Sequence, residues 1–470
     1  MIELKKLIAH LDDHTCKSLE TDLTKNQGDN FLFLFDAYKN KTLTDARIIK
    51  ALKLNENAFY VLKSRLHDKI KHHLVGDVTN SQEEILKQLI QIPKMCYENP
   101  RILAETFLLK LEKDLMYYDM HNELLQVYGA LKKIHLYSEK HFYYSQLYNK
   151  QVALGFCLEK SEEVLGEFNR LLAQYNFSRS EELLEKLLFL RKELVNNEAL
   201  NPSRQIRIIK NSIDLQLLIF CETELKYELN AIDLLENTVK IIHELPDSSP
   251  YKKWNSVMDF LYFEYYRTLS QSKQAANYFN RVNQNLTNLF LYTGLGNTSR
   301  FLMSKIQFLI NTNKLDLLVK EPEVPIYYSD ADIHTKVLLG IYKTMVFYYK
   351  GKSKNAIQEL TVTSELLKFK EYLHINLELK LTLVFLLIEK SNFIDAKAVL
   401  GKVQRAVSSK KTPDYAFVIN LIKVFTSQIE EKPKITLQER KDLFTLFAAR
   451  NNGENKILQH LMPVLNKKYL

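Results

Sequence analysis

Three groupings in this chain have residue types that could do chemistry. His10 and His14 stand four apart, a spacing that sets two imidazoles on one helix face as a zinc chelate requires. Position 11 is Leu, so the Glu of His-Glu-x-x-His is missing, and no third ligand is near in sequence. Two surface histidines are expected. Gly351-Lys352-Ser353 ends like a phosphate-binding loop, but Val346 stands where that motif needs its first glycine. The preceding Met345-Val346-Phe347-Tyr348-Tyr349 fits a helix, so a turn between helices is expected. Gly294-Leu295-Gly296 starts like a dinucleotide fingerprint without its third glycine or a strand before it. It is expected to be a loop, with Asn297 or Thr298 capping the next helix. Glu162-Glu163 fits solvated helix surface behind a Ser161 cap. No catalytic residue, cofactor site or metal site is expected, and the chain is not expected to be an enzyme.

The elements that position any site are helices. Of 470 residues only 11 are Gly and 10 Pro, well under the usual shares of about 7% and 5%. Sheets with many tight turns need more glycine. With 46% hydrophobic residues in 3.6-residue patterns, the expected class is all-α. The four cysteines are far apart without a Cys-x-x-Cys pair, so reduced, buried thiols are expected. The longest strongly apolar run, 381–388, is far shorter than the ~20 residues of a membrane span, and a cytoplasmic protein is expected.

Ala231, Ala275, Ala356 and Ala396 each follow a polar turn, and each precedes by four a large apolar residue: Leu235, Phe279, Leu360 and Leu400. Their separations of 44, 81 and 40 residues mark a repeat of helical hairpins. The expected organisation is an N-terminal helical domain over 1–78, a hairpin array over 79–430 and C-terminal capping helices over 431–470. Thr436 with Glu439 forms a capping box that opens the last of these.

At the hairpins of 333–408 the pattern resembles a tetratricopeptide repeat. Leu383 and Leu387 take the apolar sites of the first helix, Phe393 the turn aromatic, Ala396 the small site of the second helix and Leu400 the large one. Phe347, Gly351, Ala356 and Leu360 repeat the arrangement. The resemblance implies stacked antiparallel hairpins forming a superhelix that binds a peptide or helix on its concave face. In that register the inner face would expose Phe260, Glu264, Arg267, Met345, Tyr348, Tyr349, Phe385, Ile388 and Glu389.

A second resemblance lies in 48–55, Ile-Ile-Lys-Ala-Leu-Lys-Leu-Asn, which looks like the first helix and turn of a helix-turn-helix. The later Lys63-Ser64-Arg65-Leu66-His67 is similar to a phrase of sigma-factor region 4 recognition helices. Between Lys41 and His73 eight Lys/Arg face three acids, over half of the net charge of +9. This implies nucleic-acid contacts at Lys63, Arg65, Lys69 and Lys71. Two functions follow as expectations. The first is a non-enzymatic scaffold for protein partners, including assembly in a multi-protein complex. The second is a nucleic-acid-associated transcription regulator whose hairpins sense a signal or oligomerise.

Overall fold

The computed structural model describes residues 4–5, 8, 11, 13–25, 29–40, 43–76, 81–221, 223–244, 249–320, 333–367, 372–408, 413–432, 434–452 and 456–470. Among these the chain is all-α, without a strand, and neighbouring helices pack in pairs. Two compact units divide it, Met1–Ser145 and Gln146–Leu470.

The first unit holds α1 (Asp13–Lys25), α2 (Asp29–Lys39), α3 (Asp45–Leu52), α4 (Glu56–Gly76), α5 (Ser81–Ile90), α6 (Ile92–Glu98), α7 (Arg101–Tyr117) and α8 (His121–Ile134). Leu19, Leu34, Phe35, Ile48, Phe59 and Leu66 join in a core of their own that ends at Ile70. The compact unit runs on to Ser145, and α5 to α8 pack on one another within it.

The unit boundary falls inside α9 (Lys140–Ser178), which the sequence divides at Ser161. Ser161 does not cap a helix there. Its hydroxyl donates back to the Cys157 carbonyl at 2.7 Å, satisfying itself within a continuous helix. Next come α10 (Glu181–Leu200), α11 (Arg204–Phe220), α12 (Ala231–His243), α13 (Ser249–Thr268), α14 (Ser272–Gln284), α15 (Leu286–Asn311) and α16 (Leu315–Lys320). The second unit ends with α17 (Ile333–Tyr349), α18 (Ser353–Glu365), α19 (Leu373–Glu389), α20 (Phe393–Val407), α21 (Val418–Ile429), α22 (Leu437–Arg450) and α23 (Met462–Tyr469). The expected loop at Gly294–Gly296 is corrected, since α15 runs through it. A glycine costs an α-helix only about 1 kcal/mol, and burial along the rest of α15 outweighs two of them. The Thr436–Glu439 capping box forms, with reciprocal bonds of 3.2 and 2.6 Å.

One turn recurs between paired helices. Ser270 (φ 57°), Gly351 (φ 73°) and Ser391 (φ 57°) each take the left-handed conformation just past a first helix. In each, the next amide donates to a carbonyl five residues back: Gln271 to Tyr266, Lys352 to Phe347 and Asn392 to Leu387, all at 2.9 Å. This is a Schellman ending, which closes the orphan carbonyls and reverses the chain. Ala275, Ala356 and Ala396 then lie at 0% exposure. Their missing bulk is what allows the two helix axes to approach.

The closest approach lies elsewhere. A Cβ on Gly340 of α17 would stand 2.1 Å from Thr363 Oγ1 of α18. Gly340→Ala is therefore expected to destabilise the protein by about 2 kcal/mol despite the better helix propensity of alanine. Adding Thr363→Ala is expected to recover most of that loss in urea unfolding. Equal stability of the single variant and the parent would contradict the close packing.

Candidate binding cavity

Several helices of the second unit meet around an interior lined by both polar and apolar side chains. A cavity of about 1210 Å³ lies among the end of α9, the ends of α11 and α13, α15, the first halves of α17 and α19, and the segment leading into α23. On α15 its wall is Met303 with Arg300, Ser304, Gln307 and Asn311. The spacing of the last four keeps these polar residues on one face of the helix. On α19 the wall is His374 and Glu378, again one turn apart.

The charges are arranged unevenly. Glu264 is completely buried and accepts from Arg267 twice, at 2.7 Å (Nη2) and 3.1 Å (Nε). Arg267 also donates to Gln307 Oε1 at 2.9 Å. Arg300 donates to Asn176 Oδ1 at 3.0 Å, and its guanidinium carbon lies 3.4 Å from the centre of the Phe220 ring. Burial pushes Arg300 down to about 10; Glu264 opposes this, while Arg179 and Arg267 push it further. Arg179 lies over the Tyr175 ring at 5.3 Å, with Nε and Nη1 buried and without a hydrogen bond. On α19, Glu378 pairs with His460 at 2.9 Å. Burial works against that carboxylate's charge, but His460, with His374 and Arg179 adding to it, holds it below the ordinary range. His374 meets the Tyr415 hydroxyl at 2.9 Å, and burial, then Arg179, push it down to about 4.

The structure separates the residues expected on an inner face. Only Arg267 lines the cavity. Phe260, Glu264, Met345 and Phe385 are buried to 1% exposure or less, and Ile388 to 8%, which corrects their expected exposure. Phe260 is locked among Phe220 and Phe301, and Tyr348 packs on Phe385 at 5.9 Å. Tyr349 is partly buried beside Tyr348. Glu389 is exposed and paired with Lys468 of α23, whose ammonium also lies 5.6 Å from the Phe385 ring. The chain's own last helix thus packs against the C-terminal end of α19. The open face belongs to the N-terminal ends of α17 and α19 instead.

In the first unit a short turn joins α3 to α4, with Lys53 left-handed (φ 52°) in it. Lys63 is corrected as a nucleic-acid contact: it is 8% exposed, bonded to Asp45 at 3.1 Å and 5.4 Å from the Phe59 ring centre. Burial raises the Asp45 carboxyl, but Lys5 and Lys63 outweigh it and hold it below its ordinary value. Arg65 is exposed, whereas Lys69 is partly buried against the Phe31 ring at 5.1 Å. The Lys71 side chain and His10 lie outside the described residues, as does the His14 side chain. Among the described residues no helix is long and apolar enough to cross a membrane. Ser353 starts α18, so Gly351-Lys352-Ser353 is the turn its neighbours suggest.

Comparison with protein families, with characterised proteins and with solved structures finds no match.

Proposed function

We propose that the chain is a non-enzymatic, cytoplasmic binding module whose second unit receives a peptide segment of a protein partner. The observation that carries this reading is the roughly 1210 Å³ cavity into which several helices turn their polar residues. A stack of this kind holds its wall before the ligand arrives, which lowers the ordering cost of binding. The chemistry of the wall also fits a peptide. Its carboxamides, including Asn169, Gln216 and Gln307, offer a donor and an acceptor each, the pair a main chain needs. The four free cysteines agree with a reducing compartment.

The test is display of random 12-residue peptides to the full chain and to Leu338→Trp, which places an indole in the cavity wall. The parent is expected to enrich peptides that the variant captures at least tenfold less, with unfolding unchanged. Equal capture by both would place the partner elsewhere.

A second reading, contact with duplex DNA through α3 and α4, is favoured by the left-handed Lys53 and the exposed Arg47, Lys50 and Arg65. It requires duplex affinity that falls steeply between 50 and 200 mM salt. A flat salt response removes it.

A further inference from the structure

Charge and hydrogen bonding in the cavity are both incomplete, and in complementary ways. Arg179 and Arg267 both push against Arg300, while Glu264 opposes them and is already held by Arg267 through two bonds. Glu378 also feels the Arg179 charge but is paired with His460. Lys226 and Lys456 add exposed positive charge to the lining. Three arginines thus face two carboxylates that are already engaged; such an excess of partly buried positive charge is costly, and a ligand anion offsets that cost. The N-terminal ends of α17 and α19 also line the cavity, and their helix dipoles favour negative charge there.

The unfilled bonds distinguish kinds of anion. Arg179 Nε and Nη1 are donors without an acceptor. Gln216 Oε1, Thr223 Oγ1 and Asn466 Oδ1 are acceptors without a donor, and all three residues line the same cavity. A phosphate or another simple polyanion satisfies the first group and leaves the second empty. A peptide with an acidic side chain or a free C-terminus satisfies both: its carboxylate accepts from the guanidiniums, and its main-chain N–H groups donate to the orphan oxygens.

We infer that the ligand is an acidic, extended peptide, its carboxylate held between Arg179 and Arg300 and its main chain met by Gln216 and Asn466. This rests on the peptide reading above and adds the ligand's charge and its anchor. Arg300 is pre-positioned by Phe220 and Asn176, so its fork is set before binding.

The experiment is the same peptide display at physiological salt, followed by calorimetric titration of the consensus peptide made synthetically. The titrations use the parent, the Arg179→Met/Arg300→Met variant and the Arg179→Lys/Arg300→Lys variant. Methionine keeps the apolar stem of each arginine, and unchanged unfolding shows that each variant is folded. Enriched peptides are expected to be rich in Asp and Glu. The consensus peptide should bind the methionine variant at least tenfold more weakly, and the lysine variant with intermediate affinity. Replacing its acidic residue by the amide should cost the parent a similar factor. Enrichment without acidic bias that survives the methionine substitutions overturns the anchor while leaving the peptide reading intact. No enrichment at all overturns the peptide reading itself. Displacement of the peptide by inorganic pyrophosphate with equal or tighter affinity overturns the peptide as occupant in favour of a phosphate ligand.

Discussion

Glu264→Gln lowers the stability of the second unit by about 3 kcal/mol, because it removes the one carboxylate that holds Arg267 in the cavity wall. Breaking a buried pair by removing one partner costs about 3–5 kcal/mol. The lower end applies here, since the Arg267 side chain keeps 20% of its exposure while Glu264 keeps none. Glutamine preserves the shape and one acceptor oxygen, so the loss reports charge and not a hole. The single tryptophan of the chain, Trp254, is 7% exposed in the second unit, and its emission follows urea unfolding there. A loss below about 1 kcal/mol would mean that Glu264 does not balance the arginine cluster.

The second large effect is acid sensitivity. The His374 pKa falls from its ordinary 6.5 to about 4 through burial and the nearby Arg179, with Glu378 opposing. A base whose folded pKa is depressed contributes stability that is complete above 6.5 and is lost as pH falls toward 4, because the unfolded chain takes up the proton first. The difference is worth about 3 kcal/mol. His374→Asn keeps a partner for the Tyr415 hydroxyl and does not titrate. Between pH 6.5 and 4.5 the parent is therefore expected to lose urea midpoint steeply and the variant to stay nearly level. Below the ordinary 4.5 of a glutamate, Glu378 adds its own loss in both proteins, since its folded pKa is lowered. Parallel pH profiles through the upper window would show that His374 is not held neutral.

The hairpins were legible because their signal is local. Apolar periodicity, a polar turn and a following alanine lie within one short stretch. The two hairpins expected within 333–408 accordingly appear as Ile333–Tyr349 with Ser353–Glu365 and Leu373–Glu389 with Phe393–Val407. Turn chemistry was only partly legible. Gly351 advertises a left-handed residue, but Ser270 and Ser391 adopt the same conformation without glycine's freedom. Helix continuity through Ser161 and Gly294 was not legible, because short-range breakers are outweighed by packing further along each helix.

The site was the least legible part, and the reason is geometric. The tetratricopeptide register put Phe260, Met345 and Phe385 on an open inner face, yet these side chains fill the core, and α23 returns to pack on Phe385 and Glu389. A signal did exist. Arg300, Ser304, Gln307 and Asn311 form a polar stripe at helical spacing, and His374 with Glu378 interrupts an apolar helix. Reading that stripe as a cavity wall requires knowing that its partners come from α9 and α11, more than a hundred residues away for Asn176 and Arg300.

The central claim is that the ligand lies inside the second unit against these polar stripes. Its most direct test is cross-linking of the selected peptide, carrying a diazirine at one position, to the full chain, with the attachment sites read by mass spectrometry. The account predicts attachment to cavity residues such as Met303, Leu338 and Ile341, abolished in Leu338→Trp. Attachment confined to the outer helix faces, or to α3 and α4, would contradict it.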